Sequence, residues 1–430
     1  SGNVVEVRRS SDDTTQNFTA TQITDGTLLA FVNEDVTIYQ SDFSADANGW
    51  FGSTLSPTGN HDGVSDSAGT SKDNVLKLVK QADSQAYIAR NQGVVAGLTY
   101  TVSGSFLAPS ANTAVDSILF KDGVAGGSLS DFPSGYLVSG GTWTDFSFSY
   151  TATVSGSQRI NVGVSSSGGS PTGSSTGSAG DIVYIADLKF VQTTADGFVK
   201  TWYDQSGNSN DAAQATAASQ PKIVDAGSLL TAGVTFDGTD DSLSVSGDPV
   251  ITASSSGTYS AFSVQTAGQS EAGYLYGNAG PSNGSSLYVQ GSKFTLSNRN
   301  TAAFDSIPKT SSQNLLSAVY NNGDAGLLVN GAGTMTDAGT YNFSAGSSNF
   351  VIGNRNGGTS AGTFLIGSIN EIVIYDSDQS DKRRAIEESI AGHHGITLAS
   401  FNRDGFVKTW YDQSVTNEAG DTATGNHAVQ

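Results

Sequence analysis

The chain of 430 residues contains no cysteine. A disulfide framework and any zinc site built on thiolates are therefore excluded, and packing and hydrogen bonds must hold the fold. Proline is scarce as well, with 8 residues against 52 glycines. Glycine, helped by Ser, Thr, Asn and Asp, must make the turns. Positive charge is in deficit: 20 Lys and Arg face 40 Asp and Glu, a net charge of −20. Such a surface repels phosphate backbones, which argues against nucleic acid as a partner. No apolar run approaches the roughly 20 residues of a membrane-spanning helix, so no membrane partner is expected.

Aromatic residues are not lacking. The 20 Phe, 15 Tyr and 4 Trp are spread along the chain between Ser/Thr-rich turns, the composition of an all-β protein rather than a disordered one. The length calls for two or three domains. One string, DGFVKTWYDQS, occurs twice word for word, at 196–206 and 404–414. The copies lie a domain's length apart, which marks duplication of a module. The run Asn210 to Gln214 after the first copy is echoed by Asn426 to Gln430 after the second. Residues 399–430 are accordingly read as the start of a further repeat in a tandem array.

From about Asp35 to Thr193 the sequence alternates with period two. Tyr100, Val102, Gly104 and Phe106 form one such face. Phe146, Phe148 and Tyr150 form another, as do Ile160, Val162 and Val164. A fourth face joins Ile182, Tyr184, Ala186, Leu188 and Phe190. These are half-buried strands of an antiparallel sandwich, with Ser165–Gly180 as a loop. On the strings SDFSADANGW, LTYTVSGSF, GTWTDFSFSYTAT and GDIVYIADLKFVQ this block resembles the jelly-roll carbohydrate-binding modules that flank glycosidases.

A second β-rich block runs from 194 to 398, with strand-like stretches such as Gly233–Phe236, Gly273–Tyr276 and Leu315–Tyr320. One helix is expected near Asp381–Ala391, capped by Ser380 and ended by Gly392. The strings FDGTDDSL, LLVNG, FVIGNRN and GSINEIVIYDSDQSDKRRAIEESIAGHHGI resemble concanavalin A-like and laminin-G-like lectin domains of bacteriophage and bacterial surface proteins. The opening SGNVVEVRRSSDDTTQNF, followed by DGTLLAF, is similar to the β-sandwich domain of α-L-arabinofuranosidases, where it leads directly into a YDQSGxGNDxxQ segment. That resemblance implies nesting: 1–32 opens the lectin-like sandwich, 33–193 is an inserted jelly roll, and 194–398 completes the sandwich. A linear arrangement, with 1–32 belonging to an upstream domain, is the alternative.

The arabinofuranosidase resemblance implies a Glu nucleophile in the central strands, and a retaining glycosidase needs two facing carboxyl groups. Between Ser206 and Asn370 the only Glu is Glu271, and the stretch 283–290, NGSSLYVQ, has no carboxylate. Glu271 with Asp305 is the one pair left, so no catalytic residue is assigned. The candidate sugar platforms are Trp50, Tyr87, Tyr136 and Trp143 in the jelly roll and Trp202 in the repeated string, since aromatic faces pack on sugar C–H groups. In TWYDQSGN, Trp and Tyr should take opposite faces, with Asp204 closing the turn and at least one aromatic in the core. Calcium, a hard cation that takes six to eight oxygen ligands, is the candidate cofactor. The jelly-roll resemblance implies a site between first and last strands at Asp42, Asp46 and Asp187, and Asp237, Asp240 and Asp241 cluster in one turn of the second block.

The sequence thus reads as two antiparallel β-sandwiches with one short C-terminal helix. The expected role is a non-enzymatic, extracellular or virion-surface protein, a fibre or an adhesin. It would bind glycans or neighbouring subunits, itself included as a homo-oligomer. The alternatives are a glycoside hydrolase of arabinofuranosidase type and a purely architectural fibre or capsid decoration.

Overall fold

The computed structural model describes residues 2–52, 55–81, 86–113, 115, 117–124, 130–131, 137–165, 179–247, 258–267, 272–278, 285–298, 303–308, 310, 312–321, 324–333, 335–337, 349–355 and 363–400. Antiparallel strands dominate, in two sandwiches with separate cores. No helix among the described residues is long and apolar enough to cross a membrane.

In the jelly roll one sheet runs in the order Thr144–Thr151, Thr99–Leu107, Ile182–Gln192, Val75–Lys80, Leu55–His61, with Val36–Gln40 also paired to Ile182–Gln192. The facing sheet is Ser130–Asp131, Ser117–Val124, Gly156–Ser165, Ala86–Val94, Phe51–Gly52, with Leu137–Val138 on Ser117–Val124. Tyr100, Val102, Phe146, Phe148, Ile160 and Val162 point between the sheets, and Tyr100 stacks on Phe190 with centroids 5.2 Å apart.

The expected Ile182–Phe190 face needs correction. Val183 and Ile185 are in the core, then Leu188 and Phe190, because the register slips opposite Gly104 and Asp187 adopts a left-handed φ of 55°. A bulge of one residue switches which parity faces inward. A Cβ at Gly104 would lie 2.9 Å from the Ala186 carbonyl, so the close approach requires glycine there.

The second sandwich contains one layer built from Asp324–Val329, Asn314–Tyr320, Tyr259–Ala267, Ile366–Tyr375, Val234–Asp237, Lys222–Asp225 and Gly197–Trp202. The Val5–Arg9 strand pairs with Gly197–Trp202 in the register Val5↔Trp202, and with Thr15–Phe18 on its other side. Lys200 and Thr201 both bond to Glu6, Tyr203 donates to Asn17, and the Arg8 guanidinium lies 4.7 Å from the Phe198 ring centroid. Residues 3–18 are therefore held by the first copy of the repeated string; the second copy lies outside the described residues. The opposing layer comprises Leu243–Val245, Phe350–Ile352, Ala272–Asn278, Ser285–Gln290, Lys293–Asn298 and Ala303–Pro308.

The C-terminal helix spans Arg383–His394 and ends at Gly395, whose φ is 67°. Neither expected boundary residue acts as such. Ser380 bonds Asp378 instead of capping the helix, and Gly392 lies within it, since the left-handed residue that closes the last turn is Gly395. Two further short helices, Ala20–Thr24 and Thr27–Val32, were not expected; a Thr19–Gln22 capping box starts the first, and Leu28 and Val32 anchor the second in the core.

Candidate glycan-binding face

The turn at Asn48 and Gly49, both at positive φ, delivers the chain to the edge strand Phe51–Gly52. Side chains of successive strand residues point to opposite sides. Trp50 therefore goes inward: it is 6% exposed, and its Nε1 donates to the Tyr39 hydroxyl at 3.1 Å. Trp50 has no free face for a sugar, which corrects its assignment as a platform. Phe51 goes outward and is 45% exposed.

Phe51 pairs with Ala89, and two residues on Asn91 pairs with Arg159. These positions share the outer face of the sheet. The Arg159 guanidinium lies 5.6 Å from the Phe51 ring centroid, its buried Nε has no hydrogen-bond partner, and Asn91 is exposed. Arg159 has no carboxylate partner among the described residues. An exposed aromatic ring flanked by a guanidinium and an amide can offer an apolar face and polar edges to one ligand. Neither Phe51, Arg159 nor Asn91 was picked out in the sequence, although the step from Trp50 inward to Phe51 outward is the signal that could have found the ring.

The remaining aromatic candidates are scattered. Tyr87 occupies a position on the Ala86–Val94 strand opposite Gly163, two residues before Ala89. Tyr136 lies outside the described residues. Trp143 precedes the edge strand of the other sheet; its Nε1 donates to the Val64 carbonyl at 3.2 Å, and Lys72 Nζ lies 5.7 Å from its ring. The Trp143 backbone N–H bonds Asp66, whose carboxyl this and neighbouring amides hold below its ordinary range. Trp143 is thus committed to the Val64–Lys72 hairpin rather than to the Phe51 face. Trp202 packs partly buried against the second core, between Val5 and Ala212.

The calcium candidates divide in the same manner. Asp42 and Asp46 each accept a backbone N–H two residues on, and Asp187 forms an ion pair with Lys72 at 2.7 Å. These three do not form a ligand group; among the described residues the only such group is Asp237, Asp240 and Asp241, with carboxylate oxygens within 4.8 Å of one another. Each of those carboxylates uses one oxygen to hold the turn, for Thr239 N–H, Ser219 O–H and Asp237 N–H respectively. Burial and the Asp237 charge push Asp241 up to about 7. Three gathered carboxylates, each with one oxygen that takes no hydrogen bond from the described residues, are a donor set suited to a hard cation. Of the alternative catalytic pair, Glu271 and the Asp305 side chain lie outside the described residues.

No family model matches the chain, and no curated protein matches it. Among solved structures, the chain is similar to the xylan-binding domain of family 22 from Paenibacillus barcinonensis, at 11% identity, covering 37% of this chain and 96% of that one, with a TM-score of 0.29. A tandem pair of such modules from the same organism matches at 12% identity over 80% of this chain and 97% of that one, TM-score 0.31. A carbohydrate-binding module of a Cellvibrio mixtus lichenase, solved with cellotriose, matches at 10% identity over 36% and 97%, TM-score 0.22.

Proposed function

We propose that the chain is a non-enzymatic surface protein that binds glycans on the outer jelly-roll face. The observation that carries this reading is Phe51, 45% exposed beside an Arg159 guanidinium that has no carboxylate partner among the described residues. The ring would pack against the C–H face of a sugar while Arg159 and Asn91 reach its hydroxyls. A single ring on an open sheet leaves most of the ligand wet, so one site binds modestly. The duplicated DGFVKTWYDQS string supports tandem modules, whose several sites on one particle would gain avidity through effective concentration. A net charge of −20 and the absence of cysteine suit an exposed location on a virion or cell surface, with neighbouring subunits or further copies of the chain as additional partners.

Affinity electrophoresis through gels containing neutral polysaccharides tests the face. Retardation by at least one of them is expected, and Phe51→Ala should abolish it while leaving the circular dichroism spectrum unchanged. A wild-type chain that no polysaccharide retards would overturn glycan binding in favour of an architectural stalk. Release of reducing sugar, lost in Glu271→Gln, would instead establish a hydrolase.

Calcium at Asp237, Asp240 and Asp241 belongs to the same proposal. A cation there would favour the charged form of Asp241 against the burial and the Asp237 repulsion that raise it. Calcium should then raise the melting temperature of the second sandwich relative to chelator, and Asp240→Asn should remove the difference.

A further inference from the structure

On the outer side of the second sandwich's opposing layer, one patch departs from the acidic character of the chain. The segments 272–278, 285–290, 293–298 and 349–355 contain no Asp or Glu, and their only charged residues are Lys293 and Arg355. Strand parity sorts their side chains. Tyr276, Leu287, Val289, Phe294 and Leu296 belong to the core. Tyr288 and Thr295, which sit opposite one another in the register, therefore point outward, and so does Lys293, two residues from Thr295. Tyr274 pairs with Tyr288 and shares that side, because the register slips between Tyr274 and Tyr276 and turns the first out and the second in.

Tyr274 and Tyr288 are partly exposed, and their ring centroids lie 5.0 Å apart. Arg355, also partly exposed, is laid over this pair with its guanidinium 5.1 Å from the Tyr274 ring centroid. Its Nε has no hydrogen-bond partner, and no carboxylate pairs with it among the described residues. The approach depends on a small neighbour: a Cβ at Gly277 would come within 3.1 Å of the Arg355 Cβ and 3.3 Å of the Ser286 Cβ. Past Gly277, the Ser286 and Ser297 hydroxyls lie 3.2 Å apart on the same outer side.

We propose that this patch binds an acidic polysaccharide of uronate-type sugars, with Arg355 on the carboxylate and the Tyr274–Tyr288 pair on the sugar ring. A guanidinium without an acid of its own presents a fork of donors that matches a carboxylate. The tyrosines add apolar ring surface and a hydroxyl each, which an acidic peptide does not need and a sugar does. Lys293 supplies a second positive charge on the same side. The net charge of −20 opposes a polyanion at long range, but at physiological ionic strength charges beyond about 8 Å are largely screened, so the two local cations decide. The patch belongs to the second sandwich and does not rest on the Phe51 face of the jelly roll.

Affinity electrophoresis of the full chain through gels containing polygalacturonate tests this. Retardation is expected. Arg355→Gln should lower the affinity about tenfold or more, the loss of a charge-assisted pair. Lys293→Gln should lower it about two- to fivefold, the worth of an exposed charge. Lys293 is exposed, so its substitution reads the patch even where Arg355→Gln disturbs the fold. Phe51→Ala should leave polygalacturonate binding unchanged, which separates this site from the jelly-roll face. In the Phe51→Ala background the methyl-esterified polymer, which keeps the sugar rings and loses the charge, should bind at least about tenfold more weakly than the free acid. A wild-type chain that polygalacturonate does not retard, or retardation indifferent to both substitutions, would overturn the proposal. Equal retardation by polyglutamate would overturn it too, by showing that the patch reads charge alone.

Discussion

The jelly roll and the second sandwich are both antiparallel β, yet their central strands are buried differently. In the jelly roll, Thr144–Thr151 alternates between core and solvent, with Phe146 and Phe148 buried and Ser147 and Ser149 exposed. In the second sandwich, every residue of Asn314–Tyr320 is buried, as are 259–265 of the adjacent strand. One side of these strands faces the opposing layer through Tyr259, Ala261, Leu316 and Ala318. The other side lies under the C-terminal helix, where Phe262, Val264 and Leu315 meet Ile390 and Ala391. The helix brings its own polar requirement: Glu387, fully buried, accepts bonds from Ser317 Oγ at 2.8 Å and Arg383 Nη1 at 2.5 Å. A covering helix thus turns a two-layer sandwich into a three-layer one, and strands so enclosed must be apolar or small on both faces.

The largest effect should come from the doubly covered strand. Phe262→Ala is expected to cost about 3–5 kcal/mol, and in calorimetry to lower the transition of the second sandwich while that of the jelly roll stays in place. A common shift of both transitions would show that the sandwiches unfold as one unit and would break the comparison.

Asp241 gives the next effect and concerns pH. Its folded pKa, about 7, lies above the ordinary carboxylate value of 3.8. Its protonated form is therefore the one the fold favours, so its contribution is present below that ordinary value and fades as pH rises through about 7. In chelator, relative to Asp241→Asn, the second sandwich should lose about 3–4 kcal/mol between pH 4 and 8. A pH-independent difference between the two proteins in denaturant titrations would refute this.

Ser317→Ala should be milder, about 1–3 kcal/mol, because it removes one of the two bonds to a carboxylate that cannot reach water. The equivalent change on the jelly roll's solvated side, Ser149→Ala, should stay within about 0.5 kcal/mol. Equal losses at the two sites, measured by urea unfolding, would mean that the helix does not seal its side of the sheet. Smallest of all is the stability effect of Phe51→Ala, within about 0.5 kcal/mol, since the ring is already largely in water; a loss of several kcal/mol would mark Phe51 as structural and sharpen the choice against a binding face.

How much of this was legible varied with burial. Where one face of a strand is wet, the period-two pattern marks it, and Tyr100–Phe106, Phe146–Phe148 and Ile160–Val162 were readable. The Tyr259–Ala267 strand was not, because Ser260, Ser263 and Gln265 interrupt its apolar run although all three are buried. The bulge at Asp187 was equally silent, since a single left-handed residue changes which face is inward without changing composition. The candidate site followed the same rule. Trp50 is the residue type whose broad ring best stacks on a sugar, but its neighbour Phe51 holds the exposed position. The acidic turn at Asp237–Asp241 was readable because its residues are adjacent, whereas Asp42, Asp46 and Asp187 depended on a convergence that the tertiary structure does not make.

By itself, then, the sequence determined the all-β class, the exclusion of disulfides and the presence of an eleven-residue string repeated word for word, because composition, alternation and repetition are local properties of a chain. Which of two neighbouring aromatics faces water, which carboxylates meet, and where the Arg159 Nε is left without a hydrogen-bond partner among the described residues were decided only by the tertiary structure. Those outcomes depend on strand register and on which layer covers which face, and a slip of one residue inverts them.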